Sequence, residues 1–281
     1  MKFGFVTCVE LGLSCMQAIY DVGGHLDLAI TLPDDRAVGK SGRVYLDTFC
    51  SEQSIPLLKS SNVNDQAVIS AVGEHAIDWL FIIGWSQIAH AEILATPTRG
   101  VLGMHPTLLP EGRGRAAIPW AILKGLDRTG VTLFRMDEGV DTGDIIAQRV
   151  ISMHPFIDAA ELYTKVNEAH VDLMRELFPE LLADRVQAAP QDHVLATEWP
   201  GRKPEDGRID PNGSVFEAER LVRAVTKPYP GAFLDTDNGR MIVWKAEIGD
   251  GLQKDDTDNP CIEFRDGILR CLQSEFVSAA H

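Results

Sequence analysis

The chain has 281 residues, of which 45% are hydrophobic, and its formal net charge at pH 7 is −15. This length allows one large domain or two unequal ones, and the apolar content is sufficient for a core. The acidic balance weighs against nucleic acid as a substrate, because proteins that bind phosphate backbones need an excess of Lys and Arg. No apolar run approaches the roughly 20 residues that cross a bilayer, so we expect no membrane partner.

The cysteines and the N-terminus indicate the compartment. There are five cysteines, an odd number, and none forms a C-x-x-C pair. This pattern disfavours a disulfide framework or a thiolate metal site, so we expect reduced thiols and no bound metal. Residues 1–6 lack the charged and apolar regions of a secretory signal. We therefore expect a cytoplasmic protein.

Strands and helices alternate in the first part of the chain. Residues 3–7 read as a buried strand, residues 11–22 as a helix that ends at Gly23-Gly24, and residues 26–32 as a second strand. Further strands are predicted at 79–83, 100–104, 129–136 and 145–151, and helices at 64–76, 88–95, from 119, and after Asp158. This order predicts an α/β fold with a Rossmann-like parallel sheet.

Breaker residues become dense near residue 200. Beyond them the sequence predicts one helix at 215–225 and then strand-like pieces. These pieces cover residues 232–234, 241–248 and 262–272. We therefore predict two domains, residues 1–198 and a small β-rich C-terminal domain at residues 199–281.

Three features admit more than one interpretation. Residues 39–43 (GKSGR) lack the preceding glycines of a phosphate-binding loop, so we interpret them as a mobile, solvated basic loop, or alternatively as a clamp for an anionic substrate. Residues 84–87 follow a buried strand, where ligands bind in α/β sheets, but they also fit a helix start with a core Trp85. His170 lies near the apolar stripe of its helix and is interpreted as structural.

The most informative stretch is residues 103–110, Gly-Met-His-Pro-Thr-Leu-Leu-Pro. It places His105 just after a strand, and an acidic turn at residues 137–144 follows about thirty residues later. A histidine and a carboxylate delivered by two loops can transfer protons at a carbonyl group. A carboxylate beside the ring would also orient it and favour its charged form. We predict that His105 and Asp141 are catalytic.

These residues resemble the 10-formyltetrahydrofolate-dependent formyltransferase family, whose site motif is N-x-H-x-S-L-L-P followed by D-x-G. The matching residues here are 103–110 and Asp141-Thr142-Gly143. The tail, with residues 202–210 and 228–233, resembles the second domain of the members that act on methionyl-tRNA and on UDP-4-amino-4-deoxy-L-arabinose. The resemblance covers most of residues 1–250 and implies a small amine as the acceptor.

The resemblance also implies a set of binding residues. 10-Formyltetrahydrofolate would lie between the loops at residues 84–88 and 137–141. The implied folate-binding residues are Gly84, Trp85, Gln87, Ile88, Leu109, Glu138 and Val140. Arg113, Arg115 and Arg202 would bind an anionic acceptor, such as the phosphates of a sugar nucleotide.

One position departs from the family pattern. The family's catalytic asparagine, two residues before the histidine, is Gly103 here. Losing one oxyanion donor costs about a hundred- to a thousandfold in rate. The hydrolase domain of 10-formyltetrahydrofolate dehydrogenase is similar here, since it also lacks the asparagine.

Several functions therefore stay open. The first is an N-formyltransferase that acts on an amino sugar nucleotide or another small amine. The second is a folate-dependent hydrolase or other one-carbon transferase, which Gly103 favours. The third is a non-catalytic folate- or nucleotide-binding module, against which His105 and Asp141 argue, and formylation of methionyl-tRNA is a weaker fourth. The sequence leaves a homodimer open.

Overall fold

A computed structural model describes residues 1–236, 239–249 and 259–277. Contacts between residues divide the chain into two compact units. Unit 1 comprises Met1–Gly114, Thr129–Ile151 and Lys165–Glu198. Unit 2 comprises Arg115–Arg128, Ser152–Thr164 and the described residues from Trp199 onward. Two segments before residue 198 thus group with unit 2, and the predicted division at residue 198 stays a prediction. Within the described ranges, no helix has the length and apolar character to cross a membrane.

The chain forms thirteen described strands and seven described α-helices. The strands are β1 (Phe3–Val6), β2 (Leu28–Thr31), β3 (Leu57–Lys59), β4 (Trp79–Ile83), β5 (Gly100–His105), β6 (Arg113–Gly114), β7 (Arg128–Arg135), β8 (Ile145–Ser152), β9 (Glu198–Trp199), β10 (Ala232–Thr236), β11 (Gly239–Gly249), β12 (Cys261–Phe264) and β13 (Gly267–Val277). The helices are α1 (Glu10–Asp21), α2 (Asp47–Glu52), α3 (Gln66–Glu74), α4 (Ala91–Ala95), α5 (Ala117–Leu123), α6 (Ala159–Leu182) and α7 (Val215–Val225). Short 3-10 turns lie at His193–Leu195 and Pro204–Gly207.

A seven-stranded sheet carries the order β3-β2-β1-β4-β5-β7-β8. Strand β1 pairs in parallel with β2 and β4, and β4 pairs in parallel with β5. The predicted Rossmann-like fold is confirmed, but the sheet is mixed because β7 runs antiparallel to β5. A parallel β5–β7 pair would need a crossover that covers the sheet, whereas the connecting helix α5 groups with unit 2.

The centre of this sheet is apolar on both faces. Every residue of β1 and β4 is buried, as their continuous apolar sequences predict. The ring of Phe5 lies 5.5 Å from that of Phe81, and the ring of Phe3 lies 4.7 Å from Phe178 of α6. These aromatic contacts fix α6 against the sheet within unit 1.

Helix α6 begins where its capping residue predicts. The carboxylate of Asp158 accepts the backbone N–H of Glu161 at 2.9 Å, which satisfies one of the free donors of the first turn. The predicted apolar stripe is buried through Leu162, Val166 and Leu173. Capping and one apolar face therefore define this long helix from local sequence.

Unit 2 contains the predicted β-rich part of the chain. Its four-stranded antiparallel sheet has the order β10-β11-β13-β12. The strand-like piece predicted at residues 262–272 is a hairpin rather than one strand, because the chain turns at Arg265-Asp266. The Asp266 carboxylate accepts the Val215 N–H at 2.9 Å and the Ser214 hydroxyl at 2.7 Å, so this turn also anchors the start of α7.

His170 is buried within α6, in agreement with its structural interpretation. Its side chain is 1% exposed, and Nδ1 lies 2.7 Å from the carbonyl oxygen of Val166. Burial lowers the pKa of His170 to about 4, opposed by the Val166 hydrogen bond and reinforced by the nearby charge of His105. His170 is therefore neutral in the folded chain at physiological pH.

We expect His170 to make the fold less stable in mild acid. Residue 170 takes up a proton near its ordinary pKa of 6.5 in the unfolded chain, but only near pH 4 in the folded chain. The contribution of His170 to the free energy of unfolding is therefore complete above pH 6.5 and decreases as pH falls towards 4. Between pH 7 and pH 5 this term costs about 2 kcal/mol. Urea unfolding at both pH values should show a correspondingly smaller loss for His170→Met.

His90→Gln is the matched control, since His90 is exposed at the start of α4. It should lose as much stability between the two pH values as the unmodified chain. Equal losses for all three proteins would contradict a neutral, buried His170.

Candidate functional site

His105 is the last residue of β5 and is 8% exposed. Its Nε2 lies 2.8 Å from the carbonyl oxygen of Gly112, and its Nδ1 lies 3.5 Å from Oδ2 of Asp141. Both ring nitrogens therefore face oxygen acceptors, and a ring that carries a proton on each nitrogen satisfies both. The structure brings the two predicted catalytic residues into direct contact.

Asp141 sits in the acidic turn that follows β7. Its φ is +53°, a left-handed conformation that is uncommon for a residue with a side chain. The Asp137 carboxylate holds the turn by accepting the Gly139 N–H at 3.1 Å and the Thr142 hydroxyl at 2.6 Å. Position 143 must be glycine, because a Cβ there would lie 1.7 Å from the backbone oxygen of Arg135. These contacts give a physical reason for the D-x-G pattern.

A tight turn into strand β6, at residues 112–114, links the histidine to the carboxylate. The carbonyl of Gly112 contacts His105, and the N–H of Gly114 donates to Oδ2 of Asp141 at 2.9 Å. The two glycines have φ values of +72° and +106°, which residues with a Cβ rarely adopt. The glycines on either side of Arg113 therefore let one turn contact both members of the pair.

Arg113 lies inside this turn, although the sequence predicts it as an acceptor-binding residue. It is 5% exposed, and its guanidinium donates to Oε1 of Gln191 from Nε at 3.2 Å and from Nη2 at 2.6 Å. Its Nη2 also lies 3.0 Å from Nδ1 of His193. These partners favour an internal role for Arg113, and its contact with an acceptor stays a prediction.

The predicted folate loop at residues 84–88 is closely tied to the sheet. Gly84 has a φ of +70°, and a Cβ on it would lie 2.1 Å from Cγ2 of Val9. Trp85 packs partly buried against the apolar core, and its Nε1 donates to Oε1 of Gln87 at 3.1 Å. The Gln87 side chain also donates to the Ser61 carbonyl at 2.6 Å. Gln87 thus orders the loop through its side chain.

Other predicted folate residues present apolar groups to the surface. Ile88 is 59% exposed and Val140 is 50% exposed, while Glu138 is exposed beside Val140. Leu109 is buried instead, with its N–H bonded to the Thr132 hydroxyl at 3.1 Å. Exposed apolar side chains next to polar backbone groups can contact a flat, partly polar ring such as that of folate. The exposure of Ile88 and Val140 is therefore consistent with their prediction as folate-binding residues.

The basic loop at residues 39–43 lies on the sheet and is not simply solvated, which corrects our first interpretation. The Arg43 guanidinium donates to several backbone carbonyls. These carbonyls belong to Cys8 at 3.4 Å, Leu32 at 3.2 Å and Pro33 at 3.3 Å, with Val44 as a further acceptor. Lys40 Nζ lies 3.3 Å from the carbonyl of Gly84 and 3.5 Å from the Ser86 hydroxyl. Carbonyl groups at strand ends attract these cations.

Arg115 and Arg202, the other predicted acceptor-binding residues, both lie in unit 2. The Arg202 guanidinium carbon lies 5.2 Å from the ring centroid of Trp120, and a Cβ on Gly201 would lie 3.5 Å from Cδ of Arg115. Partial burial lowers the pKa of Arg202, and Asp206 opposes that shift. Arg115, Arg202 and the half-buried side chain of Trp120 therefore all belong to unit 2.

Sequence reasoning did not identify Gln191, although the structure connects it to both of the loops that carry the predicted site. It lies in the segment 187–200, which reads as a loop without periodicity or a motif. Its Nε2 donates to the carbonyl oxygens of Asp141 at 2.9 Å and Gly143 at 2.7 Å. No local signal in one sequence marks a polar residue of this kind, because its partners are distant along the chain.

Comparison with known proteins identifies the family of this chain. Residues 30–178 match the formyl transferase family, and residues 202–276 match the formyl transferase C-terminal domain. The chain therefore belongs to the formyl transferase family. This confirms the predicted enzyme and the predicted donor of the formyl group, 10-formyltetrahydrofolate.

Solved structures share the fold at low sequence identity. Methionyl-tRNA formyltransferase from Clostridium thermocellum is 18% identical with a TM-score of 0.64, over 99% of this chain and 100% of that one. WlaRD, a sugar 3N-formyl transferase solved with dTDP and 5-N-formyl-THF, is 18% identical with a TM-score of 0.71, over 96% and 97%. HypX from Aquifex aeolicus with tetrahydrofolic acid is 20% identical with a TM-score of 0.69, over 98% of this chain and only 44% of HypX. This chain thus spans less than half of HypX.

The turn at residues 112–114 leads to a test with Gly114→Ala. A Cβ at a φ of +106° shifts the backbone and weakens the contact from the N–H of Gly114 to Asp141. Because a displacement of about 1 Å can cost about a hundredfold in rate, we expect a loss of that order in kcat. The measurement is the release of tetrahydrofolate from 10-formyltetrahydrofolate, with stability followed by thermal unfolding.

Gly23→Ala is the matched control. Gly23 has a φ of +77° and no other atom within 4 Å of the added Cβ. Both variants carry left-handed strain of about 1–2 kcal/mol, but only Gly114→Ala disturbs the pair. Equal activity in the two variants would show that the turn does not align the site.

Proposed function

We propose that this protein transfers the formyl group of 10-formyltetrahydrofolate to the amine of an amino sugar nucleotide. The observation that carries the proposal is the contact between His105 and Asp141, held by the glycine turn, in a member of the formyl transferase family. A histidine beside a carboxylate, both largely shielded from solvent, suits proton transfer during attack on a carbonyl carbon.

The two residues have complementary roles in this reaction. An amine must lose a proton as it bonds to the formyl carbon, and the nitrogen of the departing folate must gain one. Asp141 accepts the proton of the amine, and His105 relays protons and supplies positive charge near the formyl oxygen. The separation of 3.5 Å between Nδ1 and Oδ2 is an ion-pair distance. Direct proton transfer needs about 2.6–3.2 Å, so this contact shortens when the substrates bind.

The residues that would hold folate fit its shape and chemistry. Ile88 and Val140 offer uncovered apolar surface, and Gly84 keeps the start of their loop packed closely against Val9. Glu138 and the buried Leu109 complete the predicted set. When bound, 10-formyltetrahydrofolate supplies the formyl carbon that the acceptor amine attacks.

Arg115 and Arg202 would bind the acceptor's phosphates. Guanidinium groups match phosphate oxygens in a bidentate manner, and the half-buried Trp120 beside Arg202 offers a flat surface to a base. Sugar N-formyltransferases share the fold, and WlaRD was solved with dTDP. The net charge of −15 weighs against a tRNA acceptor. These observations support a sugar nucleotide.

Folate-dependent hydrolysis is the second candidate, and Gly103 favours it. Residues 103 and 105 lie on the same face of β5, since side chains alternate along a strand. A Cβ at position 103 would lie 3.1 Å from the ring of Phe134 and 3.1 Å from Cγ of Met136. Aromatic and thioether groups therefore occupy the space into which the family's amide would extend. Without that amide, water rather than an amine could be the attacking group.

The function is tested by incubation with 10-formyltetrahydrofolate alone and with UDP- and dTDP-linked amino sugars. We expect tetrahydrofolate release only when an amino sugar is present. His105→Ala should reduce turnover by at least about a hundredfold, since it removes the proton relay. The exposed His25→Ala serves as control and should keep full turnover. Release without any amine would establish hydrolysis, and no release under any condition would contradict both candidates.

Gly103→Asn tests how the oxyanion is held. Overpacking against Phe134 should cost about 1–3 kcal/mol in the single variant. Combining it with Phe134→Leu should relieve the clash and raise formyl transfer above that of Phe134→Leu alone. Stability is measured by thermal unfolding, and transfer by release of tetrahydrofolate with an amine.

Gly103→Ala with Phe134→Leu is the control, because it adds the Cβ without the amide. If both double variants fold and transfer at equal rates, the amide has no role at this position. Another group of the chain then holds the oxyanion.

A further inference from the structure

We propose that Gln191 is a positioning residue that holds Asp141 against His105. The inference rests on the proposed function of this pair, and it assigns a role to a residue outside both family matches. Those matches end at residue 178 and resume at residue 202. Gln191 is 5% exposed, so its amide cannot exchange protein partners for water without opening the site.

The amide of Gln191 is fully used by the catalytic loops. Nε2 donates one N–H to the carbonyl of Asp141 at 2.9 Å and the other to the carbonyl of Gly143 at 2.7 Å. Oε1 accepts two N–H groups from the guanidinium of Arg113, at 3.2 and 2.6 Å. One side chain therefore joins the acidic turn to the turn at residues 112–114.

The acidic turn needs such a restraint because of the sheet topology. Strand β7 runs antiparallel to β5, so its end at Arg135 pairs with Leu102, while His105 pairs with Thr132. The turn must therefore come back by three strand positions, roughly 10 Å, to place its carboxylate beside the histidine. It does so with Asp141 in a strained left-handed conformation, which persists only where neighbouring contacts enforce it.

The Gln191–Arg113 contact also reaches the histidine. Arg113 lies between Gly112, whose carbonyl contacts His105, and Gly114, whose N–H contacts Asp141. Movement of Arg113 would shift both of these backbone groups. Gln191 thus restrains the acidic turn through the carbonyls of Asp141 and Gly143, and it restrains the turn at residues 112–114 through Arg113.

Backbone contacts fix Gln191 itself. Ala189 and Ile145 exchange two backbone hydrogen bonds of 2.8 Å, next to the acidic turn. Thr197 accepts the Gly112 N–H on its hydroxyl at 2.8 Å and the Arg113 N–H on its carbonyl at 2.9 Å. Residues 189–197 therefore run alongside both catalytic loops, with Gln191 at the point where they meet.

Gln191→Glu is the informative variant. A glutamate keeps the length and the acceptor for Arg113 but loses both N–H donors and places a charge against two carbonyls. We expect kcat to fall about ten- to a hundredfold while KM for 10-formyltetrahydrofolate changes less than about twofold. We also expect the side-chain ¹⁵N resonances of His105 to shift, because its distance to the carboxylate changes.

Asp78→Asn is the matched control. It is also an isosteric exchange between carboxylate and amide, and it weakens contacts with Lys2 and Thr98 next to the amino end of β4. It should lower stability and leave kcat and the His105 resonances unchanged. If Gln191→Glu does not fold, Gln191→Met, which has similar length and no charge, takes its place in both measurements.

The outcomes separate this proposal from the proposed function. Unchanged His105 resonances in a folded Gln191 variant would overturn the positioning role, even if kcat fell. Unchanged kcat together with shifted resonances would also overturn it. If the unmodified protein transfers formyl to no amine, the proposed function fails, while the resonances still report whether Gln191 sets the geometry of the pair.

Discussion

The site depends on the way one short turn holds two side chains that the sheet would otherwise keep apart. Because β7 is antiparallel to β5, the chain leaves the sheet at Arg135, three strand positions from His105. The acidic turn then folds back, and the carbonyl of Gly112 and the N–H of Gly114 contact the histidine and the carboxylate. Glycine at both positions is a consequence of this requirement, since their φ values are +72° and +106°.

The sequence predicted the elements whose identity depends on local pattern. Strands β1 and β4 follow from continuous apolar runs, and α6 follows from Asp158 and one apolar stripe. The direction of β7 does not follow, because the alternation of residues 129–136 is the same whichever way the strand runs. A parallel β7 would have placed the turn that follows it at the same sheet edge as His105. Asp141 would then have reached the histidine without the contacts that fold the acidic turn back.

The contact between His105 and Asp141 was predicted from motif spacing. The structure adds the hydrogen bonds that hold the two residues together, which the spacing does not reveal. Local sequence revealed neither Gln191 nor the burial of Arg113. Both are polar residues whose side-chain partners lie 48 or more positions away, as the Gln191 contacts with Gly143, Asp141 and Arg113 span 48, 50 and 78 positions. Hydrophobic periodicity and turn patterns depend on residues that are close in the sequence. They therefore do not identify a side chain that connects loops distant from it along the chain.

The charges around the pair bear on its proposed role in proton transfer. Arg113 is buried and bonds to Gln191, which in turn bonds to the Asp141 carbonyl. His170, within electrostatic reach of His105, is kept neutral by burial. Gly103 offers no side-chain donor, and Phe134 and Met136 border its position. In the proposed transfer reaction, the charge of His105 would therefore carry more of the stabilisation of a developing oxyanion. If the proposed reaction is correct, the alignment of His105 would then matter more here than in a protein that carries asparagine at this position.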